Sequence, residues 1–328
     1  MQFFPSMTPA RRRLPYLVMA TVLTATTVSA VAAPELLPKA SASTYALQGW
    51  ATQGGGTSGG GSASAVTVTT ASALISNMQA SGARVIRVSG TIALSGMNKV
   101  AANKTIIGVG SGAAITGGGL NVASVSNVII RNINFHDWSD DAINVQYSTR
   151  VWIDHNSFNH GYDGAVDIKR ASDYVTVSWN KFSNHDKVGL IGHSDDNGAE
   201  DRGKLRVTYY ANWFDGTTQR HPRVRFANPV HVFNNYYRGN SGYGVASTCN
   251  AGVYVERNYF DGVANTVVAQ TGDSPEGNVK LLNNYLVNSG TPVSRNAASV
   301  AAIPYSYVVD AAENVKSMVT GGAGTGKI

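Results

Sequence analysis

An apolar–x–apolar–x–x–Asn–x–aromatic phrase recurs through the middle of the chain and constrains the fold more than any other feature. It reads Val151, Ile153, Asn156, Phe158, then Val175, Val177, Asn180, Phe182. It returns at Val207, Tyr209, Asn212, Phe214 and at Val230, Val232, Asn235, Tyr237. Two further copies are Val253, Val255, Asn258, Phe260 and Val279, Leu281, Asn284, Leu286, and an imperfect early copy is Val128, Ile130, Ile133, Phe135. Positions 133, 156, 180, 212, 235, 258 and 284 are separated by 23, 24, 32, 23, 23 and 26 residues. A period of that length marks a solenoid built one coil per repeat, which stacks equivalent positions and gathers distant residues on one face.

Apolar residues two apart follow strand spacing, not helix spacing, and the residues are β-branched or aromatic. About 23 residues leave little room for helices between strands, so successive coils must pair as parallel strands about 4.8 Å apart. The expected fold is all-β: a single-stranded right-handed parallel β-helix. A propeller needs roughly 40 residues per blade. The repeated Asn suits a coil corner, because it tolerates the left-handed conformation and bonds nearby backbone.

The chain has 328 residues, 35 glycines and 14% charged residues, which suits one turn-rich β domain. Arg11, Arg12 and Arg13 precede an apolar stretch from Leu14 to Val31, with small residues at Ala30-Val31-Ala32. Residues 1–33 are read as a secretory signal and 34–328 as the mature domain, exported by the general or the twin-arginine route. The stretch is short and Thr-rich for a membrane anchor, and no membrane segment is expected in the mature form. Removing three arginines lowers the formal charge from +6 to +3. That is too weak for a nucleic-acid binder and compatible with a polyanionic substrate. A single cysteine, Cys249, excludes an intrachain disulfide and is expected to pack as a small hydrophobe. Residues 53–65 have linker-like composition, and a helix is expected from about 72 to 80, with Ser72 as cap, closing the end of the solenoid. A monomer is expected.

The 32-residue interval carries an insertion, and solenoid insertions favour the binding face. Counting seven or eight residues on from positions 133, 156, 180 and 212 reaches Asp141, Asp163, Lys187 and Arg220, with Asp167 and Arg225 shortly after. These charges form a column, acids on lower coils and bases on upper ones. Asp163 and Asp167 could share a strand face, and three carboxylates from neighbouring coils call for a hard cation, calcium above all. A solvated charged surface is the bland alternative. All seven histidines lie between positions 136 and 231, without a zinc spacing.

Three segments resemble polysaccharide lyase family 1, the pectate lyases: Val151-Trp152-Ile153-Asp154-His155, Ala165-Val166-Asp167-Ile168-Lys169 and Arg220-His221-Pro222-Arg223-Val224-Arg225. They occur in family order, and the resemblance runs from about Gly49 to the C-terminus. It implies a β-helix, Ca²⁺ ligands at Asp141, Asp163 and Asp167, substrate binding by Lys187 and Arg225, and a catalytic base at Arg220. Some members carry another acid two places before the first ligand. Here that position is Ser139, and neighbouring Asp140 would face away on a regular strand. Trp152, Asp154 and His155 are expected in a structural network. The implied reaction is calcium-dependent β-elimination on polygalacturonate outside the cell, giving 4,5-unsaturated oligogalacturonides. Arginine is ordinarily protonated and hence a weak base, so an alkaline optimum is expected. The alternatives are a pectin lyase, which lacks the calcium carboxylates, a polygalacturonase, whose Asn-Thr-Asp and Arg-Ile-Lys motifs are absent, and a non-catalytic pectin-binding β-solenoid.

Overall fold

The computed structural model describes residues 45–328 together with Met1, so the expected export signal lies outside the described residues. Residues Ala46–Ile328 form one compact unit. Its strands assemble into three parallel sheets of ten, nine and eight strands, visited in turn by each coil. In the ten-stranded sheet Val128, Val151, Val175 and Val207 are in register, as are Ile130, Ile153, Val177, Tyr209, Val232, Val255 and Leu281. The recurring apolar pair is thus the inward face of this sheet. Two residues past each corner, Phe135, Phe158, Phe182, Phe214, Tyr237 and Phe260 form a continuous stack in the core, with ring centroids 4.4 to 5.3 Å apart.

The corner works differently from the sequence expectation. The left-handed residue is the one before each ladder position: Asn132, His155, Trp179, Ala211, Asn234, Arg257 and Asn283. The ladder Asn contributes its side chain. Asn180 Oδ1 accepts from Asn156 N at 2.9 Å and Asn156 Nδ2 at 3.1 Å, while Asn180 Nδ2 donates to Asn212 Oδ1 and to Ile153 O, both at 3.0 Å. Asn212, Asn235 and Asn258 repeat the pattern. These amides are fully buried, so a lost rung leaves donors and acceptors that water cannot reach. Asn180→Ala is expected to destabilise the fold by roughly 2–4 kcal/mol in chemical denaturation, for that reason.

Two further expectations need correction. The helix spans Ala71–Gln79 and its cap is Thr70, whose Oγ1 accepts from Ala73 N at 3.3 Å, not Ser72. Leu74 and Met78 are buried with Val68, Ile86 and Val100, so the helix does close the end of the core. Residues 53–65 are not a free linker. Ser58 N and Gly59 N donate to Asn127 Oδ1 at 2.7 and 2.8 Å, and Gly60 N donates to Thr105 Oγ1 at 2.9 Å. A Cβ on Gly59 would lie 2.2 Å from Thr105 Oγ1, and one on Gly60 2.1 Å from Arg84 O. Those glycines permit close approach to the solenoid wall; composition alone reads as flexibility.

The Trp152, Asp154 and His155 network lies on the ten-stranded sheet. Asp154 accepts from Ser178 Oγ at 2.6 Å and Arg131 Nε at 2.8 Å and pairs with His155 Nδ1 at 2.6 Å. Trp152 Nε1 donates to Ser178 Oγ at 2.9 Å. The three side chains do form one hydrogen-bonded network, as expected from the sequence. Later in the chain, Tyr305 Oη bonds Thr208 Oγ1 at 2.7 Å and His231 Nδ1 at 2.9 Å, fastening the C-terminal segment across the same sheet. Among the described residues no helix is long and apolar enough to cross a membrane.

Candidate active site

The outer face of the eight-stranded sheet supplies the site. Inward positions such as Ile143, Val145, Val166, Ile168, Ile191 and Val224 are apolar and buried, so their neighbours must point outward. Along the sheet, Asn121, Asn144 and Asp167 are in register, followed by Leu190 and Arg223. Beside that row run Gln146 and Lys169, then Arg225 one strand beyond Leu190–Ile191. Amides occupy the lower coils, acids the middle and guanidiniums the upper coils.

The corner preceding this sheet carries the second row. Asp163 N donates to Asp140 O at 3.0 Å, Ala142 N to Gly164 O at 3.0 Å, and Gly189 N to Arg220 O at 2.7 Å, while Lys187 pairs with Gln219. Asp141, Asp163, Lys187 and Arg220 therefore do stack on successive coils. Asp163 reaches the site from the corner; it is outside the strand Val166–Lys169, so strand parity with Asp167 is not what brings it there. Asp140 also lies outside a strand and lines the same cleft as Asp141, contrary to the opposite-face expectation. That cleft, of about 340 Å³, is bordered as well by Asn144, Gln146, Lys169 and His193.

Asp141 and Asp167 converge. A Cβ built on Gly164 would lie 2.3 Å from Asp167 Oδ1 and 3.0 Å from Asp141 Oδ1, so the glycine leaves a small cradle of oxygens. Burial, and then the charge of Asp167, pushes Asp141 up to about 6 despite the opposing pull of Lys169. Lys169 Nζ sits between them, 2.9 Å from Asp141 Oδ2 and 3.3 Å from Asp167 Oδ2. Asp163 turns instead to Lys187 Nζ at 3.2 Å and Arg220 Nη1 at 3.9 Å. Among the described residues no three His, Cys, Asp or Glu side chains are gathered as a metal-holding group. Two repelling carboxylates around a cradle, with an ammonium already drawn in, are nonetheless the donor chemistry that suits a hard cation.

Above them, Arg220 occupies a left-handed position with φ 66°, uncommon for arginine, between the corner and the strand Arg223–Arg225. Arg225 Nε donates to Asp195 Oδ1 at 2.5 Å and its Nη1 to Gly192 O at 3.3 Å. Asp195 lies in the insertion expected from the long interval, near a short helix at Gly198–Asp201. Burial opposes ionisation of Asp195, but hydrogen bonds from Ser274 and Arg225 hold it down to about 2. Cys249 is buried, as expected from the sequence, and burial first and then the nearby Asp195 push its thiol up. His221 is fully buried, held by Thr217 Oγ1 and Tyr243 O at 2.8 Å each, and burial pushes it down to about 4. It supports the loop without titrating in the groove.

Lys169, Arg223, Asp195 and Ser274 were not singled out from sequence. For the first two a signal existed: Asp167-x-Lys169 and Arg223-x-Arg225 have strand parity, so each pair shares a face. Asp195 and Ser274 come from loops 79 residues apart, which no local pattern connects.

A family model described as pectate lyase matches residues 19–328. A pectate trisaccharide-lyase of Bacillus licheniformis is 33% identical over 304 residues, covering 87% of each chain. Pectate lyase D of Dickeya chrysanthemi is 34% identical over 311 residues, covering 75% of this chain and 79% of its own. Among solved structures, a pectate lyase from a Bacillus species, in complex with trigalacturonate, superposes with a TM-score of 0.77. It shares 32% identity, and the match covers 86% of this chain and 99% of that one.

Proposed function

Because the chain belongs to the pectate lyase family and is a polysaccharide lyase, we propose that it cleaves de-esterified polygalacturonate by calcium-dependent β-elimination. The observation that carries this reading is the stacked order of Asp141, Asp163, Lys187 and Arg220 beside the Asp141–Asp167 cradle. Acids and bases are thereby segregated along one groove, the charge pattern needed to hold a cation and a polyanion side by side.

Asp141, Asp163 and Asp167 would hold the ion, with Asp140 the nearest further carboxylate on the same cleft. When bound, calcium would neutralise the uronate carboxylate and so make the adjacent C5 proton more acidic. Arg220 is the group that takes the C5 proton. Lys187 and Arg225 hold substrate carboxylates through charge-assisted hydrogen bonds and fix the register of the chain. The C5–H bond breaks, C4=C5 forms, and the C4–O bond breaks. The departing oxygen takes a proton from solvent. Asp195 fixes the Arg225 guanidinium before substrate arrives.

The first test is ultraviolet absorbance during incubation with polygalacturonate at alkaline pH. A rise with calcium, abolished by excess chelator, is the expected result. New reducing ends without that rise would mean hydrolysis and would sink the proposal. Binding without either signal would favour the non-catalytic solenoid. We also read residues 1–33 as an export signal, so that a monomeric enzyme works outside the cell on its polymeric substrate. An intact N-terminus on protein recovered from cells, with none in the medium, would contradict that.

A further inference from the structure

We propose that Arg223 is a third carboxylate-binding position of the groove, held ready by Ser274 and, through it, by Asp195. This rests on reading the groove as a polyuronate site. Arg223 points outward in the same row as Asp167, with Leu190 between them. Two strand spacings put it roughly 10 Å up the groove from the carboxylate cradle. On the next strand its partner is Ala246, which is too small to cover it.

The three guanidiniums of this corner differ in how they are compensated. Arg220 faces Asp163 at 3.9 Å, and Arg225 is paired with Asp195 at 2.5 Å. Among the described residues Arg223 has no carboxylate within ion-pair distance, and its Nε has no hydrogen-bond partner. Tyr243 beside it contributes no counter-charge, since burial pushes its phenol up and keeps it neutral. A half-buried cation next to two others is unfavourable unless an anion completes it. What Arg223 does have is a hydroxyl guide. Its Nη2 donates to Ser274 Oγ at 2.7 Å, and Ser274 Oγ donates to Asp195 Oδ2 at 2.6 Å. Asp195 Oδ1 accepts from Arg225, so one carboxylate orients two guanidiniums from two loops. Ser274 is almost fully buried, which fixes that geometry. A repeating polyuronate offers a carboxylate on every sugar, and a forked guanidinium is suited to one.

Arg223→Gln, Arg223→Lys and Ser274→Ala separate the possibilities, using polygalacturonate and a partly methyl-esterified pectin. Arg223→Gln is expected to raise KM for polygalacturonate about tenfold, with kcat within about twofold, because a charge-assisted contact made equally in ground and transition states is lost. Arg223→Lys keeps the charge and is expected to lose less. Ser274→Ala is expected to raise KM about threefold, since a positioning contact alone is removed. The Arg223→Gln effect should shrink on the esterified substrate, where fewer carboxylates are available. Equal losses in the Gln and Lys variants, or equal losses on both substrates, would mark a packing role and overturn the inference. So would an unchanged KM. Calorimetric binding of polygalacturonate separates this from the larger reading. A wild-type protein that binds but never eliminates, with binding weakened in Arg223→Gln, would leave the subsite standing while the lyase assignment falls. A wild-type protein that binds no polygalacturonate overturns both.

Discussion

Replacing Arg220 by alanine is expected to lower turnover on polygalacturonate by roughly 10²–10⁴-fold, the range lost with a general base, while leaving binding of the polymer within about threefold. The split follows from what surrounds the residue. Arg220 contributes one long contact to Asp163, at 3.9 Å, and Asp163 keeps its closer partner Lys187, at 3.2 Å. Removing the guanidinium therefore strands no buried acid. Lys187, Arg223 and Arg225 remain to hold substrate carboxylates. Lysine at position 220 would keep a charge but shorten the reach and replace a planar fork by a point donor, so it should recover little. The measurement is initial rate by ultraviolet absorbance beside calorimetric binding to the same variant. Parallel loss of binding and turnover would make Arg220 a substrate anchor. Unchanged turnover would place the base elsewhere and remove the central residue of the proposal.

The repeat made the coil legible because the interior ladder Asn and stacked Phe residues answer to the coils directly above and below them. Period and parity are enough for such positions. The corner charges were legible for the same reason: Asp141, Asp163, Lys187 and Arg220 recur at nearly constant offset. Asp163 shows where parity stops, since it sits before its strand and its direction depends on the corner geometry. The fate of residues 53–65 was hidden because glycine composition is the same for a mobile tether and for a segment pressed against Thr105 and Arg84 O. Asp195 and Ser274 were invisible for a different reason. Their roles exist only through contacts with Arg225 and Arg223 across loops that carry no repeat.

Substitution of Gly164 by alanine is expected to weaken calcium binding about tenfold without unfolding the protein, and Asp167→Asn to weaken it on the order of a hundredfold, since the first displaces hard-oxygen donors and the second removes the charge of one. The two variants act by different routes. Alanine removes no ligand, but its Cβ would stand 2.3 Å from Asp167 Oδ1 and 3.0 Å from Asp141 Oδ1. Asp167 Cγ would stand 2.6 Å away as well, so the whole Asp167 carboxylate must turn aside, while the nearest atoms include no backbone and the coil survives. Asparagine preserves the bond that Leu190 N makes to Asp167 Oδ1 at 3.1 Å, but removes the charge. Proton competition gives a third handle. Burial and the charge of Asp167 raise Asp141 to about 6. Its ionised fraction, and with it calcium affinity, should fall as pH drops through that value and be fully present above it. Lys169 competes from the other side, because its ammonium must leave the carboxylate pair, 2.9 and 3.3 Å away, before a divalent ion can enter. Titration of the substrate-free protein by calorimetry at pH 5 to 8 (a range chosen to bracket the Asp141 value of about 6) reads all three effects without relying on turnover. An affinity indifferent to Gly164→Ala, to Asp167→Asn and to pH would move the cation away from this cradle and leave Lys169 as its permanent occupant.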